Sequence, residues 1–387
     1  MERPTKNAPL SIGEVAEPTT GSQGGSSRFS FPLEAEHEEI GAVWQRRTGL
    51  RAIVAIHSTA CGPALGGTRF RPYRNVEEAL FDVLRLSKAM SYKAAMAGLD
   101  LGGGKAVIIG DPQRDKTEAL LEAYAAFLNR FDGRYLTAED VGTSQADMDF
   151  LGLRSGFVTG RSAALGGSGD PSPITAYGVV RAMEATAEAL WGSPSLEGRR
   201  VNVSGVGKVG HTLAVLCAER GARVTAADVS PGAVKELLAE TPTVEPADAE
   251  TIHQLECDLY APCALGGALN DRTVPDLACQ AVCGAANNQL ADETIEAALQ
   301  ARGITYVPDY VANAGGIINI AYERGGYDAD AAKAHVARIF DTTAALFAAA
   351  RKTGEALSVI ADRTAEQRIA AAEDLRNSRP AEGIGRS

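Results

Sequence analysis

The chain has 387 residues, 45% of them hydrophobic and 22% charged, which is ordinary for a globular protein and long enough for two domains with a large core. A formal net charge of −11 excludes a general binder of nucleic acid or anionic membrane. Every apolar run is broken by charge or glycine well before about 20 residues, so no membrane span is expected, and with no signal core at the N-terminus the expected location is the cytoplasm.

Residues 1–28 read as a disordered extension, rich in Pro, Thr, Ser and Gly, and 377–387 as a disordered tail. Between them strand and helix patterns alternate, which favours parallel α/β architecture. Gly49 to His57 reads as a strand. Asn75 then caps a helix whose apolar stripe is Val76, Ala79, Leu80, Val83, Leu84, Leu86 and Met90. Lys93 lies on that stripe if the helix persists, and so points inward. Ala106 to Gly110 is a short strand, Lys116 to Phe131 a helix and Arg134 to Thr137 another strand.

Lys93 and Lys105 bracket an apolar run that ends in Gly102-Gly103-Gly104. Lysine is rarely buried unless paired, and three glycines allow a sharp turn close to a small ligand. A desolvated amine beside a second cation gives up its proton more readily than an ordinary lysine, whose pKa is about 10.4, and this is how lysine becomes a base. The plain alternative is a turn with two surface lysines. After the next strand, Thr137-Ala-Glu-Asp-Val-Gly142 places carboxylates at a strand's C-terminal end, where either Glu139 or Asp140 could exchange a proton with a lysine or water. Solvated loop acids are the competing reading.

Gly166 to Pro173 breaks the composition and marks the domain junction, and a helix from Thr175 to Trp191 opens a second βα series. There, Arg199 to Ser204 reads as a strand followed at once by Gly205-Val206-Gly207-Lys208-Val209-Gly210 and an apolar helix through Cys217. A second strand, Arg223 to Ala227, ends in Asp228, 18 residues beyond Gly210. This is the context that makes a GxGxxG informative: the loop takes a pyrophosphate at a helix N-terminus, and the acid takes the adenosine ribose 2′-hydroxyl. A carboxylate there repels a 2′-phosphate and no arginine follows closely, so NAD is expected rather than NADP. Asn287 and Asn288 follow the strand Gln280 to Cys283, and Asn313 follows Ile304 to Asp309. These amides suit the nicotinamide ribose or the substrate, although asparagine also simply favours loops. Helices near Ala329 to Lys352 and Glu355 to Arg376 complete the chain. The six cysteines lack a metal-ligand spacing and fit free thiols, so no metal is expected, and the five histidines show no partner motif, which weakens a His-based 2-hydroxy-acid dehydrogenase.

Taken together, these motifs resemble the Glu/Leu/Phe/Val amino-acid dehydrogenase family from about Phe31 to Arg376. The marks are Gly62-Pro-Ala-Leu-Gly-Gly-Thr-Arg69, the Lys93 to Lys105 segment, Thr137 to Thr143, Asp170 to Gly178, Ala261-Pro-Cys-Ala-Leu265, Ala286-Asn-Asn288 and Asn313-Ala-Gly-Gly316. The resemblance implies a substrate-binding and catalytic domain over 29–165, a Rossmann-like NAD-binding domain over 170–328 across a cleft, helices 329–376 packing back on the first domain, and a homo-oligomer. It implies Lys93 as the holder of the substrate carboxylate, Lys105 as the catalytic acid/base, Asp140 rather than Glu139 as its proton partner, and Thr175 near the nicotinamide. Gly66 lines the substrate cleft, and Leu65, Ala138, Ile317 and Ile320 match the side-chain pocket, with Asn288 also on the substrate side. All four pocket residues are apolar, so the expected reaction is oxidative deamination of a branched-chain L-amino acid to the 2-oxo acid and ammonia. An aromatic L-amino-acid dehydrogenase is the alternative, and an idle NAD-binding regulatory protein a more distant one. Cys61 before the Gly62 motif and Tyr322 before Glu323 depart from the family pattern, and both are expected to bear on the pocket's shape.

Overall fold

The structure, a computed structural model, describes residues 36–378. The extension expected at 1–28 lies outside these residues, as does the expected tail apart from its first two residues. The first part comprises β1 (Glu39–Gln45), β2 (Leu50–Ser58), β3 (Ala64–Arg71), α1 (Val76–Met96), β4 (Gly102–Ile109), α2 (Glu118–Leu128), β5 (Tyr135–Glu139) and α3 (Gln145–Gly152). Successive side chains of a strand face opposite ways, and β2 and β4 bury both sets. Ala52, Val54, Ile56, Ala106 and Ile108 pack with α2 and α3, while Ile53, Ala55, Val107 and Ile109 pack with Ala79, Leu80, Val83 and Leu84 of α1. The apolar spacing of α1 thus covers one face of the sheet. Its first residue, Val76, is exposed rather than part of the buried stripe. Asn75 caps the helix by accepting from Glu78 N–H, and the helix runs on to Met96.

The strand order is β1-β2-β4-β3-β5, with β3, β4 and β5 parallel and both β1–β2 and β2–β4 antiparallel. The sheet is therefore mixed, not purely parallel. The sequence pattern missed β1, a half-exposed edge strand, and β3, whose Gly66-Gly67 pair is unusual inside a strand. The triple glycine is likewise no turn. Gly102, Gly103 and Gly104 lie within β4, and what demands them is close approach: a Cβ on Gly102 would stand 1.9 Å from Ser58 O, and one on Gly103 2.0 Å from Ser91 N. Glycine here lets α1 press its backbone onto β4. Gly103→Ala is expected to destabilise the protein by about 1–3 kcal/mol through overpacking, read as a lowered thermal midpoint. An unchanged midpoint would contradict this packing.

The second part begins with α4 (Ser172–Trp191), β6 (Arg200–Ser204), α5 (Lys208–Glu219), β7 (Arg223–Ala227), α6 (Pro231–Glu240) and β8 (Glu245–Pro246). It continues with β9 (Cys257–Pro262), β10 (Cys279–Val282), α7 (Thr294–Ala301), β11 (Thr305–Tyr306), α8 (Asp309–Ala312) and α9 (Gly315–Ala321). Its six strands are all parallel in the order β11-β10-β9-β6-β7-β8, the doubly wound order with its switch point between β6 and β9. The molecule is thus a two-domain α/β protein. The chain ends in α10 (Ala329–Ala337), α11 (Ile339–Thr353) and α12 (Leu357–Asn377). Arg368 of α12 donates from its two Nη atoms to Ala95 O and Leu99 O, both at 2.8 Å, and so holds the C-terminal end of α1. No described helix is long and apolar enough to cross a membrane.

Candidate active site

The two lysines meet because strand and helix periodicity aim them at one place. Lys105 shares its face of β4 with Val107 and Ile109, the face that α1 covers, and it is only 6% exposed. Lys93 lies in the last turn of α1, on a stripe with Leu86, Ala89 and Met90. Both lysines line a cleft of about 410 Å³ with residues of the first sheet and of helices and loops of the second part. From the first sheet come Gly66 and Arg69 of β3, Ala138 of β5, and Glu139 and Asp140. Opposite stand Thr175 of α4, Val209 of α5, the loop residues Asn287, Asn288 and Asn313, and Gly316, Ile317 and Ile320 of α9.

Asp140 follows β5 directly and forms an ion pair with Lys105, whereas Glu139 is exposed on the rim. One Asp140 oxygen, Oδ1, accepts from Val141 N–H at 2.7 Å, and the other faces Lys105. Burial pushes this carboxyl up, but the Lys105 and Arg69 charges and the hydrogen bonds outweigh it and hold Asp140 below the usual carboxylate range. At Glu139, although the side chain reaches the rim, partial desolvation by the surrounding protein outweighs the Lys208 charge, and the carboxyl is raised.

Lys93 donates to Asn287 Oδ1 at 3.1 Å, an oxygen that also accepts from Asn313 Nδ2 at 2.9 Å. Burial pushes the Lys93 amine down to about 8, with Asp309 and Asp140 opposing and the Lys105 charge adding to the push. The surroundings of Lys93 thus disfavour its charged ammonium form. An anionic group set against Lys93 would act in the opposite sense and keep the ammonium charged. Asp309 itself is raised by burial, against the Gln289 N–H and Lys93.

Other expected residues stand elsewhere. Leu65 is fully buried and does not line the cleft; it belongs to the core with Ala94, Ala95 and Leu101. Neither Cys61 nor Tyr322 lines the cleft, contrary to expectation; the Tyr322 hydroxyl lies 3.2 Å from His335 Nδ1 on α10. The Gly205, Val206, Gly207, Lys208 and Gly210 positions form the turn from β6 into α5, outside the substrate cavity. Among the residues that sequence reasoning gave no role, Arg69, Met90, Asp309 and Tyr310 also line the cleft. The spacing of Leu86, Met90 and Lys93 held a signal for Met90, since one helical stripe carries all three.

The β6–α5 turn fits a dinucleotide. Gly205 takes a φ of 101°, a Cβ on Gly210 would lie 1.9 Å from Gly205 O, and a Cβ on Gly207 would point into open space. No side chain caps the N-terminus of α5, so its N–H groups are free to face an anion. Asp228 at the end of β7 accepts from Val206 N–H and Ser230 N–H, both at 2.8 Å, which fixes its carboxylate beside the loop. Lys208 is ion-paired with Asp170 at 3.2 Å. On the cleft side, the buried Asn313 Oδ1 has no partner among the described residues and could offer an acceptor to a hydroxyl or amide. Among the described residues no three His, Cys, Asp or Glu side chains are grouped to hold a metal.

Residues 37–153 match the family model described as Glu/Leu/Phe/Val dehydrogenase, dimerisation domain, and residues 166–238 and 232–376 match that for Glutamate/Leucine/Phenylalanine/Valine dehydrogenase. The chain is 54% identical to the valine dehydrogenase of Streptomyces virginiae over 86% of its own length and 94% of that protein. It is 46% identical to the leucine dehydrogenase of Geobacillus stearothermophilus over 91% of its length and 95% of that protein. Among solved structures, L-tryptophan dehydrogenase from Nostoc punctiforme superposes with a TM-score of 0.78 at 39% identity, covering 88% of this chain and 98% of that one. The hetero-hexameric glutamate dehydrogenase from Thermus thermophilus superposes with a TM-score of 0.73 at 27% identity, covering 89% and 91%.

Proposed function

The chain belongs to the Glu/Leu/Phe/Val dehydrogenase family, and from that premise we propose that it deaminates a branched-chain L-amino acid oxidatively and reversibly, with NAD as hydride acceptor. The observation that carries this reading is the cleft itself. It presents two lysines to one end of a small molecule and the uncharged side chains of Met90, Ala138, Ile317 and Ile320 to the rest.

In this reading Lys93 holds the substrate carboxylate, with Asn287 and Asn288 beside it. Thr175 and Asn313 would hold the nicotinamide, which would supply the acceptor for the hydride that leaves Cα. Neutral Lys105 then accepts a proton from the water that attacks the imine carbon. Asp140 passes protons as the carbinolamine collapses to 2-oxo acid and ammonia. The low-dielectric walls strengthen the charge contacts and keep stray water from the hydride step.

A panel of L-amino acids with NAD tests the substrate class. Valine, leucine and isoleucine should give the highest kcat/KM, and glutamate, which finds no cation on the apolar wall, the lowest. A single methylene is worth about 1–3 kcal/mol in such a pocket, so the order among the three aliphatic acids is the fine detail. Phenylalanine and tryptophan belong in the panel because the small residues Ala138 and Gly160 line the cleft, and because the Nostoc punctiforme relative is a tryptophan dehydrogenase. A preference for them would replace the branched-chain reading. An idle NAD-binding protein would oxidise none.

The preference for NAD over NADP rests on Asp228. Asp228→Asn removes the charge while retaining an acceptor for the loop, and should cut the discrimination about 10-fold or more, the scale of a hydrogen bond to a charged group. Unchanged NAD-to-NADP ratios of kcat/KM would remove Asp228 from the ribose site. The proposal extends to a homo-oligomer in the cytoplasm, which the six free thiols suit. It also extends to a substrate domain over 29–165, a dinucleotide domain over 170–328 and closing helices over 329–376.

A further inference from the structure

We propose that Arg69 is a positioning residue for the proton pair: clamped by Asp82, it holds Asp140 as an anion while Lys105 is neutral. This deepens the reading of Lys105 and Asp140 given above and rests on it.

The register puts Arg69 there. In parallel strands, paired residues point to the same side, and Arg69 of β3 pairs with Val107 of β4, which shares its face with Lys105. Arg69 is thus directed to the face covered by α1, and α1 supplies Asp82. Arg69 Nη1 donates to Asp82 Oδ2 at 3.0 Å, while Arg69 Nε stands 3.5 Å from Asp140 Oδ2. Asp82 is held in turn by the Tyr73 hydroxyl at 2.8 Å and by Arg85 Nη2 at 3.3 Å. The Arg69, Asp82 and Asp140 side chains are only 16%, 13% and 17% exposed, so their charges act with little screening.

The asymmetry of the two Arg69 contacts is informative. A guanidinium free to choose would form a short bidentate pair with one carboxylate. Here Nε is buried and makes no hydrogen bond, although Asp140 lies opposite it. Asp82 therefore keeps the guanidinium at arm's length. At that distance Arg69 lends Asp140 a positive charge without occupying the oxygen that faces Lys105.

The reaction needs such an arrangement. Lys105 is the nearest cation to Asp140, and once neutral it no longer stabilises the buried carboxylate. Without a second cation, Asp140 would take up a proton and lose its capacity as an acceptor. The groups facing the pair are Arg69 from β3, Asp82 and Lys93 from α1, Tyr135 and Glu139 from β5, and Asp309 from α8. Of these, only Arg69 and Lys93 are cationic, and Lys93 is assigned to the substrate carboxylate.

The test is the pH dependence of kcat/KM for oxidative deamination of L-valine in the full chain. Arg69→Gln removes a positive charge, so Lys105 holds its proton to higher pH and the acid limb should move up by about one pH unit or more. Arg69→Lys should restore part of that shift. Asp82→Asn removes a negative charge and releases Arg69 toward Asp140, so its limb should move down. A purely structural role for Arg69 would lower rates without moving the limbs in opposite directions. Coincident limbs for wild type, Arg69→Lys and Asp82→Asn would overturn the proposal even if Arg69→Gln failed to fold. A wild type that turns over valine with those coincident limbs would leave the reading of Lys105 and Asp140 standing, whereas a wild type inactive on every amino acid would overturn both.

Discussion

Lys105→Ala is expected to lower kcat by about 10²- to 10⁴-fold, the range for removal of a general acid/base, while leaving the dissociation constant for NADH within a few-fold of wild type. The split follows from where the side chain stands. Lys105 is carried by β4 in the first sheet and is ion-paired with Asp140, whereas the turn proposed to receive the dinucleotide joins β6 to α5 in the second part. Steady-state rates with a fluorescence titration of NADH separate the two quantities. Loss of cofactor affinity as the main defect would mean that Lys105 had been given the wrong task. Because alanine leaves Asp140 facing Arg69 alone, Lys105→Met serves as a bulkier control, and it should be equally inactive.

Lys93→Ala should act on a different quantity. Taking away one partner of a buried charge pair costs about 2–5 kcal/mol, so kcat/KM for a branched-chain amino acid should fall by a factor on the order of 30 to several thousand. Most of that loss should appear in KM, because the contact to the substrate carboxylate is made before and during the hydride step alike. The Asn287 and Asn313 side chains, which share the hydrogen-bond network of Lys93, would remain as a weaker cradle. If kcat fell as far as in Lys105→Ala with KM unmoved, Lys93 would be part of the proton chemistry instead. Steady-state kinetics of the two variants side by side makes the distinction.

Much of this was legible in the sequence where periodicity and motif agreed. The α1 stripe carried its register through to Lys93, and the strand–glycine loop–helix–strand–acid succession from Arg199 to Asp228 corresponds to β6, α5 and β7. What was hidden had physical causes. β3 contains Gly66-Gly67, a pair unusual inside a strand, where neighbouring backbones fill the space a side chain would need. Gly102 to Gly104 read as a turn, although their lack of side chains serves the packing of α1. Leu65, expected in the pocket, packs in the core with Ala94, Ala95 and Leu101. Glu139 and Asp140 were equivalent by residue type and position alone; the family resemblance pointed to Asp140, and the end of β5 sets it against Lys105. Arg69 was invisible as a participant because its partners, Asp82 and Asp140, are far from it in sequence and come together through sheet register.

The measurement that bears most directly on the chemistry is a product balance. The purified chain is mixed with L-valine and excess NAD, and NADH, ammonia and 2-oxo acid are each quantified. Equal amounts of all three, formed by wild type and absent with Lys105→Ala, are the predicted result. NADH formed without matching ammonia, or none formed from any branched-chain amino acid, would contradict the account.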